Sequence, residues 1–129
     1  MNPPEFSLVP PVEENRYSLF DSNFENDELV FFHVTPASNL NSIIGTGFLS
    51  QHAISGSGLN SVSYAKRSSA CMAHIGNEAK QDLVAFVVKF DPADLNKVKN
   101  NPSDIHVFDS SVQPTILGFT RIPAGFKLA

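Results

Sequence analysis

The sequence predicts an α+β fold, and three observations carry that assignment. Two apolar runs, "ELVFFHV" (28–34) and "DLVAFVVKF" (82–90), are short and rich in Val and Phe, as buried strands are. Each is followed at once by a cap-and-proline step, Thr35-Pro36 and Asp91-Pro92, the signature of a helical turn beginning. The elements succeed one another in mixed order, without the regular strand–helix alternation of a wound parallel sheet.

Along the chain, residues 1–28 contain four prolines and little periodicity. They read as an extended arm, packed locally through Phe6, Leu8, Tyr17, Leu19 and Phe24. The body starts at 29. "ELVFFHV" is its first strand, and "TPASNLNSIIGTG" (35–47) its first helix. Thr35 is the expected cap, Pro36 the first helical residue, and Leu40, Ile43 and Ile44 have helical spacing. Gly45 and Gly47 end the helix. "SQHAISGSGLN" (50–60) is polar and glycine-containing, a loop. "SVSYA" (61–65) is a short strand, and Ala70, Met72, Ala73 and Ile75 suit a second helix. "DLVAFVVKF" is the strongest strand signal and reads as central. Asp91 caps the turn "DPADLNKV", "NNPSD" turns the chain, and "IHVF" and "TILGFTRI" are two more strands.

The 129 residues suffice for one hydrophobic core, and a hydrophobic content of 42% fits a folded globule. No apolar run approaches the roughly 20 residues of a membrane span, so no membrane partner is expected. The first residues lack the basic and apolar regions of a secretory signal. The single cysteine, Cys71, cannot pair within the chain and reads as a buried structural thiol. A cytoplasmic protein is the expectation. Net charge is −4, unevenly placed: residues 1–28 hold seven acids against one base, Arg16, and the body carries six acids against eight bases. That slight basic excess is far below the footprint of a dedicated nucleic-acid binder. The acidic lead segment suits a solvated arm, or one that covers the body's pocket.

His33, His52, His74 and His106 have no metal-ligand spacing, and Cys71 has no partner. A Walker loop and a serine-hydrolase elbow are missing, and "GSG" at 56–58 lacks the setting of a dinucleotide fingerprint. What remains is an arrangement. A strand ends in His33-Val34-Thr35, with His33 and Thr35 on one face. A second strand carries Ser63-Tyr64-Ala65, followed by Lys66-Arg67 and a helix.

Four segments in this order resemble the ADP-ribosyltransferases. "HVTPASNLNSIIGTGFLS" is similar to their His-x-Thr strand and following helix, "SVSYAKRSSACMAHI" to the tyrosine strand and its helix, and "DLVAFVVKFDPADL" to the next core strand and turn. "QPTILGFTRIP" resembles the "Q-A-E-x-L … V-P" segment of the DarT-like, DNA-targeting branch. The resemblance covers residues 29–125. It implies two small mixed or antiparallel sheets around a nucleotide cleft, with short helices and NAD as substrate. His33 and Thr35 would hold the nicotinamide-side ribose or phosphates, Tyr64 would stack on nicotinamide, and Ser63 would bond a ribose hydroxyl. The reaction implied is transfer of ADP-ribose to a macromolecule, nucleic acid or protein, with release of nicotinamide; a toxin, a phage-encoded factor or a delivered effector is compatible with it.

The sequence departs from that pattern at two places. The glutamate of "Q-A-E" falls on Thr115, after Gln113 and Pro114, and Thr115 supplies no negative charge. The loop after the first helix lacks the branch's arginine, for which His52 is a stand-in. A second register aligns "SDIHVFDSS" with the "E-Y-V-V-Y" segment of poly-ADP-ribose polymerase-type enzymes and puts Asp104 in the acidic position. Asp104 or Gln113 is then the group expected at the reacting ribose. The alternative is a catalytically degenerate relative that binds NAD, a nucleotide or a protein without turnover. Asn39 and Asn41 are expected to face solvent, and Arg67 to pair with Glu78 or Asp82 or else to bind phosphate or the target.

Overall fold

The computed structural model describes residues 3–8, 18–50, 56, 60–74, 76 and 78–127. Its strands are β1 (Val30–Pro36), β2 (Val62–Ala65), β3 (Leu83–Lys89), β4 (Lys99–Asn100), β5 (Asp104–Val107) and β6 (Thr115–Ile122). Its helices are α1 (Ser22–Glu25), α2 (Leu40–Thr46) and α3 (Ser68–His74), with 3₁₀ turns at Ala37–Asn39 and Asp94–Lys97. The α+β class is therefore as predicted. The two-sheet arrangement is not: the strands form one six-stranded sheet, ordered β4-β5-β2-β1-β3-β6, with antiparallel pairing throughout.

The pairing within that sheet is uneven. β1 and β3 pair over their whole length, from Val30↔Lys89 to Pro36↔Leu83. β3 and β6 pair from Leu83↔Ile122 to Lys89↔Thr115, with a register shift at Val87/Val88. β2 and β5 pair from Val62↔Val107 to Ala65↔Asp104. Between β1 and β2 a single pair, Phe32↔Ala65, makes the join. Two three-stranded halves thus meet at a seam. The two-sheet expectation comes with the resemblance; strand runs in a sequence mark the strands but not which edges meet.

Side-chain alternation builds a core on each face. One contains Phe31, Tyr64, Val84, Phe86, Val88, Phe90 and Phe119, covered by Leu40 and Ile43 of α2 and by Phe48. The other contains Phe32, Ala85, Val87 and Ile122, covered by Cys71 and Met72 of α3 and by Leu19 and Phe20. β3 is buried on both faces from Leu83 to Val88, hence its unbroken apolar sequence.

The first helix begins later than predicted. Thr35 does not cap it: Thr35 remains in β1 opposite Val84, and α2 starts at Leu40 after the 3₁₀ turn. Gly45 lies inside α2, and Gly47, at φ +87°, ends it with its N–H on the Ile43 carbonyl. Asp91 accepts from the Ala93 N–H at 2.9 Å in the turn before Asp94–Lys97, but the N-cap of that 3₁₀ segment is Ala93, which makes no side-chain cap bond.

The boundary at 28/29 has no structural counterpart among the described residues. Leu19 is 1% exposed and belongs to the core. Phe6 N–H donates to the Phe119 carbonyl and Phe119 N–H to the Pro4 carbonyl, so residues 4–6 line the outer edge of β6. Gly118 permits this: a Cβ there would collide with the Phe6 ring and stand 2.9 Å from the Pro4 carbonyl. Glu25, 7% exposed, accepts from Ser68 N–H at 3.1 Å and from the Ser68 hydroxyl, which itself accepts from Leu19 N–H at 2.7 Å. Burial raises the Glu25 carboxyl above its ordinary range; the Ser68 bonds and the Arg67 charge oppose that. The described part of the lead segment is thus packed into the domain.

Candidate functional site at the β1–β2 seam

Beyond Phe32↔Ala65 the ladder between β1 and β2 stops, and His33 takes over. Its Nδ1 lies 2.8 Å from the Ser63 carbonyl. A carbonyl only accepts, so Nδ1 carries the proton and Nε2 keeps a lone pair. Burial lowers the His33 pKa, with the Ser63 bond opposing, so the ring is neutral at pH 7. Phe48 and Tyr64 hold it, with ring centroids at 5.3 and 5.4 Å.

His33 lines two cavities. The larger, about 340 Å³, lies on the α2 side between His33, Thr35, Asn39, Phe48, Leu49 and Val62. It falls in the size range of small-molecule sites. Asn39 Nδ2 donates to Thr35 Oγ1 at 2.9 Å, which leaves the threonine hydroxyl proton to donate elsewhere. Asn39 and Asn41 are both exposed, as expected, and Asn39 also orients Thr35. The smaller cavity, about 150 Å³, lies on the α3 side and includes His33, Ser63, Ala65, Cys71 and Asp104. Burial pushes the Cys71 thiol up to about 12, so it is a neutral structural group.

Asp104 is therefore brought to the seam. It opens β5 opposite Ala65, itself opposite Phe32, so it stands two strand spacings, roughly 10 Å, from β1. Its Oδ1 accepts from Asn101 Nδ2 at 2.9 Å, and its Oδ2 faces His106 Nε2 at 3.4 Å. A carboxylate offers about four lone-pair sites, so capacity remains. Thr115, the other register's acidic position, lies at the Lys89 end of β6, while His33 is level with Phe86 and Phe119.

Two other residues have structural duties. Tyr64 is 1% exposed, with Phe48, Phe90 and His33 at 5.4, 5.1 and 5.4 Å from its ring. Burial raises its phenol well above the usual range. It packs beneath His33 in the core and presents no ring face for nicotinamide, because Tyr64 shares the inward face of β2 with Val62. The Gln113 amide is spent on backbone: Oε1 accepts from Phe48 N–H at 2.9 Å, and Nε2 donates to the Phe48 and Ser110 carbonyls at 2.8 and 2.9 Å. It clamps the loop after α2 and is not free for a sugar.

The expected Arg67 pairs do not form. Glu78 faces Lys127 at 3.9 Å, and Asp82 accepts from Ala124 N–H at 3.0 Å. His52 lies outside the described residues. In the described part of the lead segment, residues 4–6 sit along β6, and no residue of that part lines either seam cavity. Sequence reasoning missed His106, which aligns with Ser63 and shares a face with Asp104. The spacing Asp104, His106, Phe108, alternating with buried Ile105 and Val107, was the available signal.

Among the described residues, no group of three His, Cys, Asp or Glu could hold a metal ion, and no helix is long and apolar enough to cross a membrane. No family model, curated protein or solved structure matches this chain.

Proposed function

We propose that the chain is an NAD-dependent ADP-ribosyltransferase acting at the β1–β2 seam, with a macromolecular acceptor, nucleic acid or protein. The observation that carries this reading is a neutral histidine between two cavities, with a carboxylate across the gap. His33 Nε2 accepts from a ribose hydroxyl, and the Thr35 hydroxyl donates to the same sugar or its phosphate. Phe48, Leu49 and Val62 supply the apolar wall that Tyr64 does not. Cleavage of the nicotinamide–ribose bond passes through an oxocarbenium-like state. Asp104 is the carboxylate placed to stabilise that charge. The test is calorimetry and nicotinamide release at millimolar NAD. Wild type should bind and release nicotinamide, His33→Ala should lose binding, and Asp104→Ala should keep binding and lose release. Wild type that neither binds nor releases ends the reading.

The second reading is a relative that binds NAD or another nucleotide without turnover. It is favoured by Thr115, which has no carboxylate and lies away from His33, and by the committed Gln113 amide. Binding without release, unchanged in Asp104→Ala and Thr115→Ala, would select it.

A further inference from the structure

One face of the β2–β5 pair carries a chain of three side chains, of which the reading above uses only Asp104. Ser61 Oγ lies 3.3 Å from His106 Nδ1, and His106 Nε2 lies 3.4 Å from Asp104 Oδ2. The carboxylate accepts and does not donate, so it holds the proton on Nε2. Nδ1 is then left with a lone pair facing the Ser61 hydroxyl. A hydroxyl, an imidazole and a carboxylate in line make an activated nucleophile, whatever fold carries them. Both distances are long for working bonds, as in many sites before a substrate closes them. Ser61 immediately precedes Val62, which lines the larger cavity, and is two residues from Ser63, which lines the smaller. Ser61 itself is half-buried.

We propose that Ser61 is a covalent acceptor: activated by His106, its Oγ takes the ADP-ribosyl group of an NAD bound in the seam. This rests on the transferase reading. The Ser61 Oγ–C1 bond to the ribose forms as the C1–N bond to nicotinamide breaks. The bonding pair goes to the pyridinium nitrogen, and nicotinamide leaves neutral. The hydroxyl proton passes to His106 Nδ1 and then to solvent, while Asp104 stabilises the imidazolium. NAD⁺ and a serine hydroxyl give ADP-ribosyl-serine, nicotinamide and one proton. Lys99 is the register partner of His106 on β4, so a cation shares that face with the imidazole and the Asp104 carboxylate.

The test uses the full chain with two probes. Incubation with NAD is followed by peptide mass spectrometry and a nicotinamide assay. A serine-directed fluorophosphonate, which needs no NAD, reports the nucleophile by itself. The expected result is one ADP-ribosyl unit on Ser61, absent from Ser61→Ala and reduced at least about tenfold in His106→Gln. Gln can bond to Asp104 and Ser61 but takes no proton, so it separates base chemistry from folding. The phosphonate should label Ser61 in wild type and not in His106→Gln. Nicotinamide release with Ser61 unmodified overturns this inference and leaves the transferase reading standing. Phosphonate labelling with neither release nor ADP-ribosyl adduct overturns both the reading and the assignment to ADP-ribose. Equal labelling in His106→Gln overturns the role of the imidazole.

Discussion

Replacing Gln113 by Ala separates a loop clamp from a sugar ligand. The substitution removes three bonds, to Phe48 N–H, the Phe48 carbonyl and the Ser110 carbonyl. Each contributes about 1 kcal/mol net. Gln113 is exposed, so water reoccupies part of what is lost, and the net cost is about 2 kcal/mol. For a domain of this size that lowers Tm by about 7 °C. Gln113→Glu should cost at least as much, because a carboxylate cannot donate to two carbonyls and is repelled by both. Gly47 adds a check: it sits at φ +87°, and a Cβ there would stand 2.8 Å from Gln113 Oε1, so Gly47→Ala strains the same clamp from the other side. The assay is thermal denaturation followed by circular dichroism, beside NAD titration. An unchanged Tm in Gln113→Ala together with lost NAD affinity would refute the clamp and restore Gln113 to the sugar.

Tyr64→Ala should cost about 3–5 kcal/mol in denaturant unfolding, while Tyr64→Phe stays within about 1 kcal/mol and retains whatever NAD affinity wild type shows; loss of affinity in the Phe variant alone would return the phenol to the site. Deleting residues 1–28 removes Leu19, Phe20 and Glu25 from the core, and should yield a chain without a cooperative thermal transition rather than a domain with an exposed surface. The pKa of His33 is lowered by folding, so the unfolded chain binds the proton first. Its contribution is present above the ordinary histidine value of about 6.5 and lost as pH falls through it toward the folded value. His33→Gln should flatten that part of the stability–pH profile, and an unchanged slope would count against a ring kept neutral by the fold. Thr120 Oγ1 is fully buried with no hydrogen-bond partner among the described residues, so Thr120→Val should stabilise by about 1 kcal/mol in the same unfolding assay.

The strands were legible because burial writes itself into composition: Leu83 to Val88 lie inside on both faces and are apolar without a break. Elements of four and two residues, α1 and β4, are too short for any periodicity to show. Thr35-Pro36 looked like a cap because the same residues suit a strand end, and pairing with Val84 and Leu83 holds them extended. His33 and Asp104 were legible as candidates from local pattern and resemblance. Their meeting depends on the long-range register Phe32–Ala65–Asp104, which no local pattern reports. Tyr64 was open to better reading, since alternation in "SVSYA" sets Ser61, Ser63 and Ala65 on one side and Val62 and Tyr64 on the other.

The one-pair junction at Phe32↔Ala65 has a mechanical consequence. Two plates, each stiffened by its own ladder, share a single rivet, so twisting one against the other breaks little backbone bonding. Amides bordering the gap should exchange with solvent sooner than those of β3, which are locked from both sides. A molecule touching both plates would act as a brace, slowing that exchange and fusing two unfolding steps into one. Occupancy of the gap would then register as rigidity across the entire sheet.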